Sequence, residues 1–167
     1  NVGVANFEMI FFDRLGASDT MIGVLGMISS MVEIPFMFWT DHLIRRYGPV
    51  RMLIAAAVIY AMARLAVILM PTVLVVLIAR GLTGIGLTFN TLAYVAMVNE
   101  RFDTGEAGSV LIILTVMPPT VISIVFNPIF GALLDSRGGF VLYVISFIGY
   151  AFSAVWYALA VRKKAAV

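Results

Sequence analysis

The sequence predicts an all-α membrane protein, a six-helix transmembrane bundle whose first helix is truncated. Two observations carry this expectation. Apolar residues make up 62% of the 167-residue chain and charged residues only 12%, against about 45–50% and about 25% in soluble domains. The apolar residues are also gathered into long runs, near the ~20 residues an α-helix needs to cross a bilayer's hydrocarbon core. A mean hydropathy of +1.07 leaves too few polar side chains to cover a water-facing surface. No regular alternation of apolar and polar residues recurs, so the pattern does not point to a lipid-facing β-barrel.

The first apolar run, residues 1–12, ends at the polar break Asp13-Arg14-Leu15-Gly16. At ~1.5 Å per residue it reaches about half way across a bilayer and reads as the tail of a cut helix. No basic leading end precedes it, as a signal peptide would require. Complete spans are expected at residues 20–38, 52–70, 73–98, 109–133 and 140–161, divided by short charged or Pro/Gly breaks. The expectation is therefore the later part of a longer protein, with residues 1–167 as its C-terminal transmembrane half.

Charge sets the orientation. Arg45, Arg46, Arg51, Arg101, Arg162, Lys163 and Lys164 fall in one set of alternate loops, while the other set holds only Arg14 and Arg137. The positive-inside bias puts the richer set, and the C-terminus with it, on the cytoplasmic side of an inner membrane. The net charge of +2 is scattered among apolar runs, so nucleic acid is not expected as a partner. Absence of cysteine removes disulfide frameworks, thiol nucleophiles and cysteine-ligated metals. His42 has no second histidine or spaced acid cluster beside it, so no metal or other cofactor is expected. The glycines from Gly81 to Gly86 follow no strand and make no phosphate loop. No nucleophile-plus-base pair stands at workable spacing, which argues against an intramembrane enzyme. Trp39 and Trp156, near span ends, suit interfacial anchoring.

Between the first two complete spans lies Thr40-Asp41-His42-Leu43-Ile44-Arg45-Arg46-Tyr47-Gly48-Pro49-Val50-Arg51-Met52, read as a short cytoplasmic turn. It resembles the cytoplasmic loop signature of the major facilitator superfamily, in which an acid at a helix end is followed by basic residues around a glycine. The stretch from Val32 through Arg64 is similar to the second halves of the lactose-permease-like and nucleoside-proton symporter-like branches. The resemblance covers nearly the whole chain, as spans seven to twelve of such a transporter. Two features depart from it: Met37 stands where the signature has a glycine, and the basic pair sits about one turn late. A weaker echo, Gly131 to Gly139, falls on the opposite side. The resemblance implies proton symport of a small-molecule solute, a missing N-terminal six-helix half as partner, and a gating role for Asp41, Arg45, Arg46 and Arg51. Physically, Asp41 could hold a neighbouring helix's N-terminus or an arginine in one conformation and release it in another. The arginines serve equally well to fix topology.

Glu8, Glu33, Arg64 and Arg80 fall inside apolar spans. A charge near a helix centre costs at least about 2.5–3.5 kcal/mol, so such residues face a cavity or a partner. Arg64 and Arg80 flank the Met70-Pro71-Thr72-Val73 turn at similar depth, ~9–11 Å below the outer surface. There they repel unless they face apart or share an anion. Glu8, at ~8 Å, matches them in depth and is expected to be an arginine's resting partner. Glu33, nearer ~20 Å, is expected to exchange a proton as its surroundings change. The resemblance places Arg64 where the lactose-permease-like branch carries a functional arginine. Glu33 is displaced by about one turn from that branch's sugar-binding glutamate, so sugar binding is not inherited. Two arginines at one level suit an anionic or sugar-like solute.

At ~100° per residue, Arg80, Thr83, Asn90, Thr91 and Tyr94 share an arc of about 100°, a polar stripe expected to line a cavity. Interhelical hydrogen bonding is the other use of such a stripe. Gly81, Gly84 and Gly86, and Gly23 with Gly26, allow close helix packing. Pro35, Pro118-Pro119 and Asn127-Pro128 interrupt the backbone ladder as hinges or as static kinks. Two readings follow. One is a secondary active transporter working by alternating access, with protons, a solute and the lipid bilayer as partners. The other is a non-transporting membrane module, an assembly subunit or receptor, whose buried charges specify helix pairing. Alone, the chain is expected to self-associate or to be unstable.

Overall fold

A computed structural model describes the backbone of residues 2–165, and their side chains except at residues 2, 3, 104 and 161–165. The elements are α1 (Val2–Arg14), α2 (Asp19–Tyr47), α3 (Pro49–Leu69), α4 (Val73–Asn99), α5 (Thr104–Thr115), α6 (Met117–Arg137) and α7 (Phe140–Ala165). Among the described residues there is no strand. Five segments are long and apolar enough to cross a membrane: α2, α3, α4, α5 with α6 taken together, and α7. At 13 residues α1 is shorter. The side chains of Arg162, Lys163 and Lys164, part of the charge count above, lie outside the described residues.

Local chemistry explains where these helices begin. The Ser18 hydroxyl accepts from the Met21 N–H at 3.4 Å and caps α2, and Thr72 does the same for Val75 at the start of α4. The segment read as a turn at residues 40–52 is instead helical apart from Gly48. Nothing from Thr40 to Tyr47 breaks a helix, and Arg45 pairs with Asp41 one turn earlier, so α2 runs on to Tyr47. Gly48 then takes a φ of +83°, open to glycine at no steric cost. Pro49 follows at the first turn of α3, where its missing N–H costs nothing.

The span expected at 109–133 is a broken helix. Pro118 and Pro119 withdraw two backbone donors, and the helix is interrupted at Val116. The hydroxyls of Thr115 and Thr120 donate to the carbonyls of Leu111 and Val116 at 2.6 and 2.7 Å, supplying hydrogen bonds around the break.

α3 packs between α4 and α7, α2 lies along α4, and α1 rests on α6 with further contacts to α7 and α2. Two apolar clusters hold the bundle. One gathers Phe12, Leu25, Ala63, Val67, Val76 and Tyr143 around α1. The other gathers Met52, Leu53, Tyr60, Phe89 and Ala93 between α3 and α4. Gly84 sets the α2–α4 spacing, because a Cβ there would stand 2.5 Å from the Ser29 carbonyl oxygen. At the other end of the bundle Arg14 donates to the Leu134 carbonyl and pairs with Asp135 at 3.3 Å, so α1 and α6 end at the same surface. Phe38, Trp39, Ile124 and Phe152 point outward, as large apolar side chains do when the surrounding solvent is lipid.

Candidate functional site

Four helices bring polar groups together at one point. Glu8 on α1 is 3% exposed and Arg64 on α3 is 0% exposed. One Glu8 oxygen, Oε1, accepts from Arg64 Nη1 at 3.2 Å and from the Tyr143 hydroxyl of α7 at 3.1 Å. The other, Oε2, accepts from Arg80 Nη1 of α4 at 2.9 Å. The Arg64 guanidinium also lies over the Tyr143 ring, 5.4 Å from its centroid. Phe11, one turn beyond Glu8, packs on that ring at 5.0 Å and fills the space beside Gly139, where a Cβ would overlap it.

The arrangement follows from the energetics of charge in a medium of low dielectric. Neither arginine can be left without a counter-ion there, and two of them at one depth repel. Sharing one carboxylate answers both demands. Glu8, expected as the partner of one arginine, therefore serves both. The ring face of Tyr143 adds attraction for the cation, and its hydroxyl adds a charge-assisted hydrogen bond to the anion. Arg80 remains 23% exposed at its side chain although its Nε is buried, so the cluster is sealed at Arg64 and only partly covered at Arg80.

Glu33 stands apart on α2. It is half-buried, and no hydrogen bond or ion pair reaches its carboxylate among the described residues. Tyr60 of α3 lies within electrostatic reach of Glu33 on one side and of Arg64 and Arg80 on the other. Its ring stacks on Tyr150 of α7 at 4.6 Å and abuts Gly86 of α4.

The polar stripe of α4 does not form one surface. Thr83 is buried and spends its hydroxyl on the Ala79 carbonyl at 2.8 Å. Asn90 is half-buried, Thr91 is exposed, and Tyr94 turns toward Tyr157 of α7. Arg80 alone of the stripe joins the Glu8 cluster. At the far end of α2, Asp41 pairs with Arg45 of the same helix at 3.0 Å, Arg46 lies over the Tyr47 ring at 5.2 Å, and Arg51 is exposed at the start of α3.

Two contributions were not expected from the sequence. Tyr143 is one; the signal that could have found it is its depth on α7, close to that of Glu8, and its place in the series Tyr143, Tyr150, Tyr157, which recurs every seven residues on one helix face. The other is the Asn6 side chain, whose Nδ2 donates to Asn127 Oδ1 at 2.9 Å and links α1 to α6. No group of three or more metal-ligating side chains forms among the described residues.

An all-helical bundle of several long apolar helices with an ion cluster inside it defines a class, the multi-pass integral membrane proteins. The family model of the Major Facilitator Superfamily matches residues 2–166, and the chain belongs to that superfamily of membrane transporters. Its members bind small-molecule solutes within the lipid bilayer and are not enzymes. No curated protein and no solved structure matches the chain.

Proposed function

We propose that this chain is the C-terminal half of a lactose-permease-like or nucleoside-proton-symporter-like carrier, which moves a small anionic or sugar-like solute by alternating access, coupled to protons. The supporting observation is Arg80, a charge held by a shared carboxylate and still 23% exposed. An intramembrane charge faces the bundle interior or a water-filled cavity, and a partly exposed one fits the cavity. Glu33 is the coupling acid: it is a half-buried carboxylate inside a span, with no hydrogen-bond or ion-pair partner among the described residues. Thr91 and the half-buried Asn90 line the solute path below Arg80, while Tyr94, turned toward Tyr157, and Thr83, bonded to the Ala79 carbonyl, hold the helix beside it. Asp41, Arg45, Arg46 and Arg51 form the inner latch. The exposed Asp41–Arg45 pair is worth only ~0–1 kcal/mol, so Asp41 changes partner at low cost. The C-terminus is cytoplasmic.

The test is uptake of small acids and sugars by the full-length protein in vesicles under an imposed pH gradient. Glu33→Gln is expected to abolish gradient-driven accumulation and to spare counterflow exchange; undiminished accumulation would remove Glu33 from coupling.

The burial of Glu8 and Arg64 favours a second reading, in which those charges only specify helix partners. A neutral triple variant, Glu8→Gln with Arg64→Gln and Arg80→Gln, separates the two. It removes every charge of the cluster at once and leaves none uncompensated. A membrane-inserted, folded triple variant without uptake supports the carrier, and one with full uptake supports helix pairing.

A further inference from the structure

Two groups inside the bundle lack the partner each calls for. Glu33 of α2 is a half-buried carboxylate with no hydrogen bond or ion pair among the described residues. Tyr60 of α3 is only 4% exposed, and its hydroxyl makes no hydrogen bond among the described residues either, although a buried tyrosine hydroxyl normally finds a partner. One is an acceptor without a donor, the other a donor without an acceptor. They also share a level. Counted from Val73, Gly86 lies ~20 Å below the outer surface, the depth of Glu33 counted along α2. The Tyr60 Cα, counted back from Met70, lies at ~15 Å, and a helical side chain leans toward its own N-terminus, which for α3 is the inner end. The ring accordingly comes to rest at Gly86, where a Cβ would stand 3.2 Å from Cζ, the carbon that carries the hydroxyl. Tyr150 stacks on the same ring at 4.6 Å and fixes its plane. The charged and titratable groups around Tyr60 are Glu33, Arg64, Arg80 and Tyr150. Arginines accept no hydrogen bond, which leaves Glu33 as the one charged acceptor among them.

We propose that Tyr60 is a positioning residue for Glu33, its hydroxyl donating to the carboxylate once that acid has lost its proton and letting go when the proton returns. A hydrogen bond to the ionised form of a carboxylate favours that form. The structure holds the two apart, the arrangement expected of the protonated acid. The exchanging proton resides on a Glu33 oxygen, and the phenol keeps its own throughout. That Glu33 is the acid coupled to transport rests on the carrier reading; the hydrogen bond itself needs no transport.

The experiment is an infrared titration of the full-length protein in phosphatidylcholine vesicles, with no solute present. The carboxyl band of protonated Glu33 is identified by its loss in Glu33→Gln, and its midpoint is read as the pH is varied. Tyr60→Phe keeps the ring on Tyr150 and Gly86 but removes the donor, and should move the midpoint up by about one pH unit. Gly86→Ala crowds the hydroxyl end of the ring; it should move the midpoint the same way, and add nothing in a Tyr60→Phe background. Tyr150→Phe removes the neighbouring hydroxyl and should leave the midpoint where it is. An unmoved midpoint in Tyr60→Phe overturns the proposal, and so does an equal shift in Tyr150→Phe or a Glu33 band that no pH alters. A Tyr60→Phe shift with uptake indifferent to the pH gradient would leave the hydrogen bond standing and sink proton coupling. Gradient-driven uptake that depends on Glu33, with an unmoved midpoint in Tyr60→Phe, would do the reverse.

Discussion

Glu8 is the residue on which the most energy turns. Its two oxygens accept from three donors on three other helices, so its removal strands two cations where water is scarce. Breaking a buried ion pair by deleting one partner costs about 3–5 kcal/mol, because the surviving charge stays buried without compensation. Glu8→Gln is accordingly expected to lower stability by at least that amount, read as the midpoint of thermal unfolding in detergent. Arg80→Gln is expected to cost clearly less, because the Glu8–Arg64 pair and the Tyr143 hydrogen bond persist. Equal losses in the two variants would mean that Glu8 is not shared as the geometry has it.

Among the helices, α2 crosses α4 with its backbone close against Gly84. A Cβ at Gly84 would meet the Ser29 carbonyl oxygen at 2.5 Å and its Cα at 3.2 Å, both backbone atoms that cannot rotate away. Gly84→Ala must push two long helices apart, and overpacking of this kind costs about 1–3 kcal/mol. Gly149 of α7 has nothing within 4 Å of a Cβ, so Gly149→Ala is expected to leave the unfolding midpoint unchanged or raised. The comparison is clean, since both glycines lie mid-helix and only one faces a neighbour's backbone. The glycine pattern marked close approach along α4, yet it did not say which glycine bore it. That depends on where α2 crosses, which no spacing within α4 encodes.

For the whole molecule, sidedness follows from helix alternation once α5 and α6 are taken as one crossing. Arg14, the Met70–Thr72 turn and Gly138 then share one surface, and Gly48 with the α4–α5 connection lies at the other. The Arg14–Asp135 pair fits that arrangement. These 167 residues contain no cysteine, so a reporter introduced among them is the single cysteine they carry, and labelling is compared with the unsubstituted protein. Ser136→Cys is expected to react with an impermeant maleimide from outside intact cells, and His42→Cys only after permeabilisation. The opposite pattern would invert the orientation drawn from the positive charges.

Composition and run length alone settled that this chain is an all-helical membrane bundle, because the cost of an unsatisfied backbone in lipid leaves helices as the form for such runs. Depth counting, from the Met70–Val73 turn for the two arginines and from Asp13 for Glu8, also brought Glu8 to the level of Arg64 and Arg80, since rise per residue is the same in every helix. Depth says nothing of direction around the axis. That one carboxylate joins both arginines, that Tyr143 completes its shell, that Thr83 turns to its own backbone and that the Tyr60 ring settles on Gly86 were decided by how four helices rotate and cross. Those angles come from packing between segments distant in sequence, and only the assembled bundle contains them.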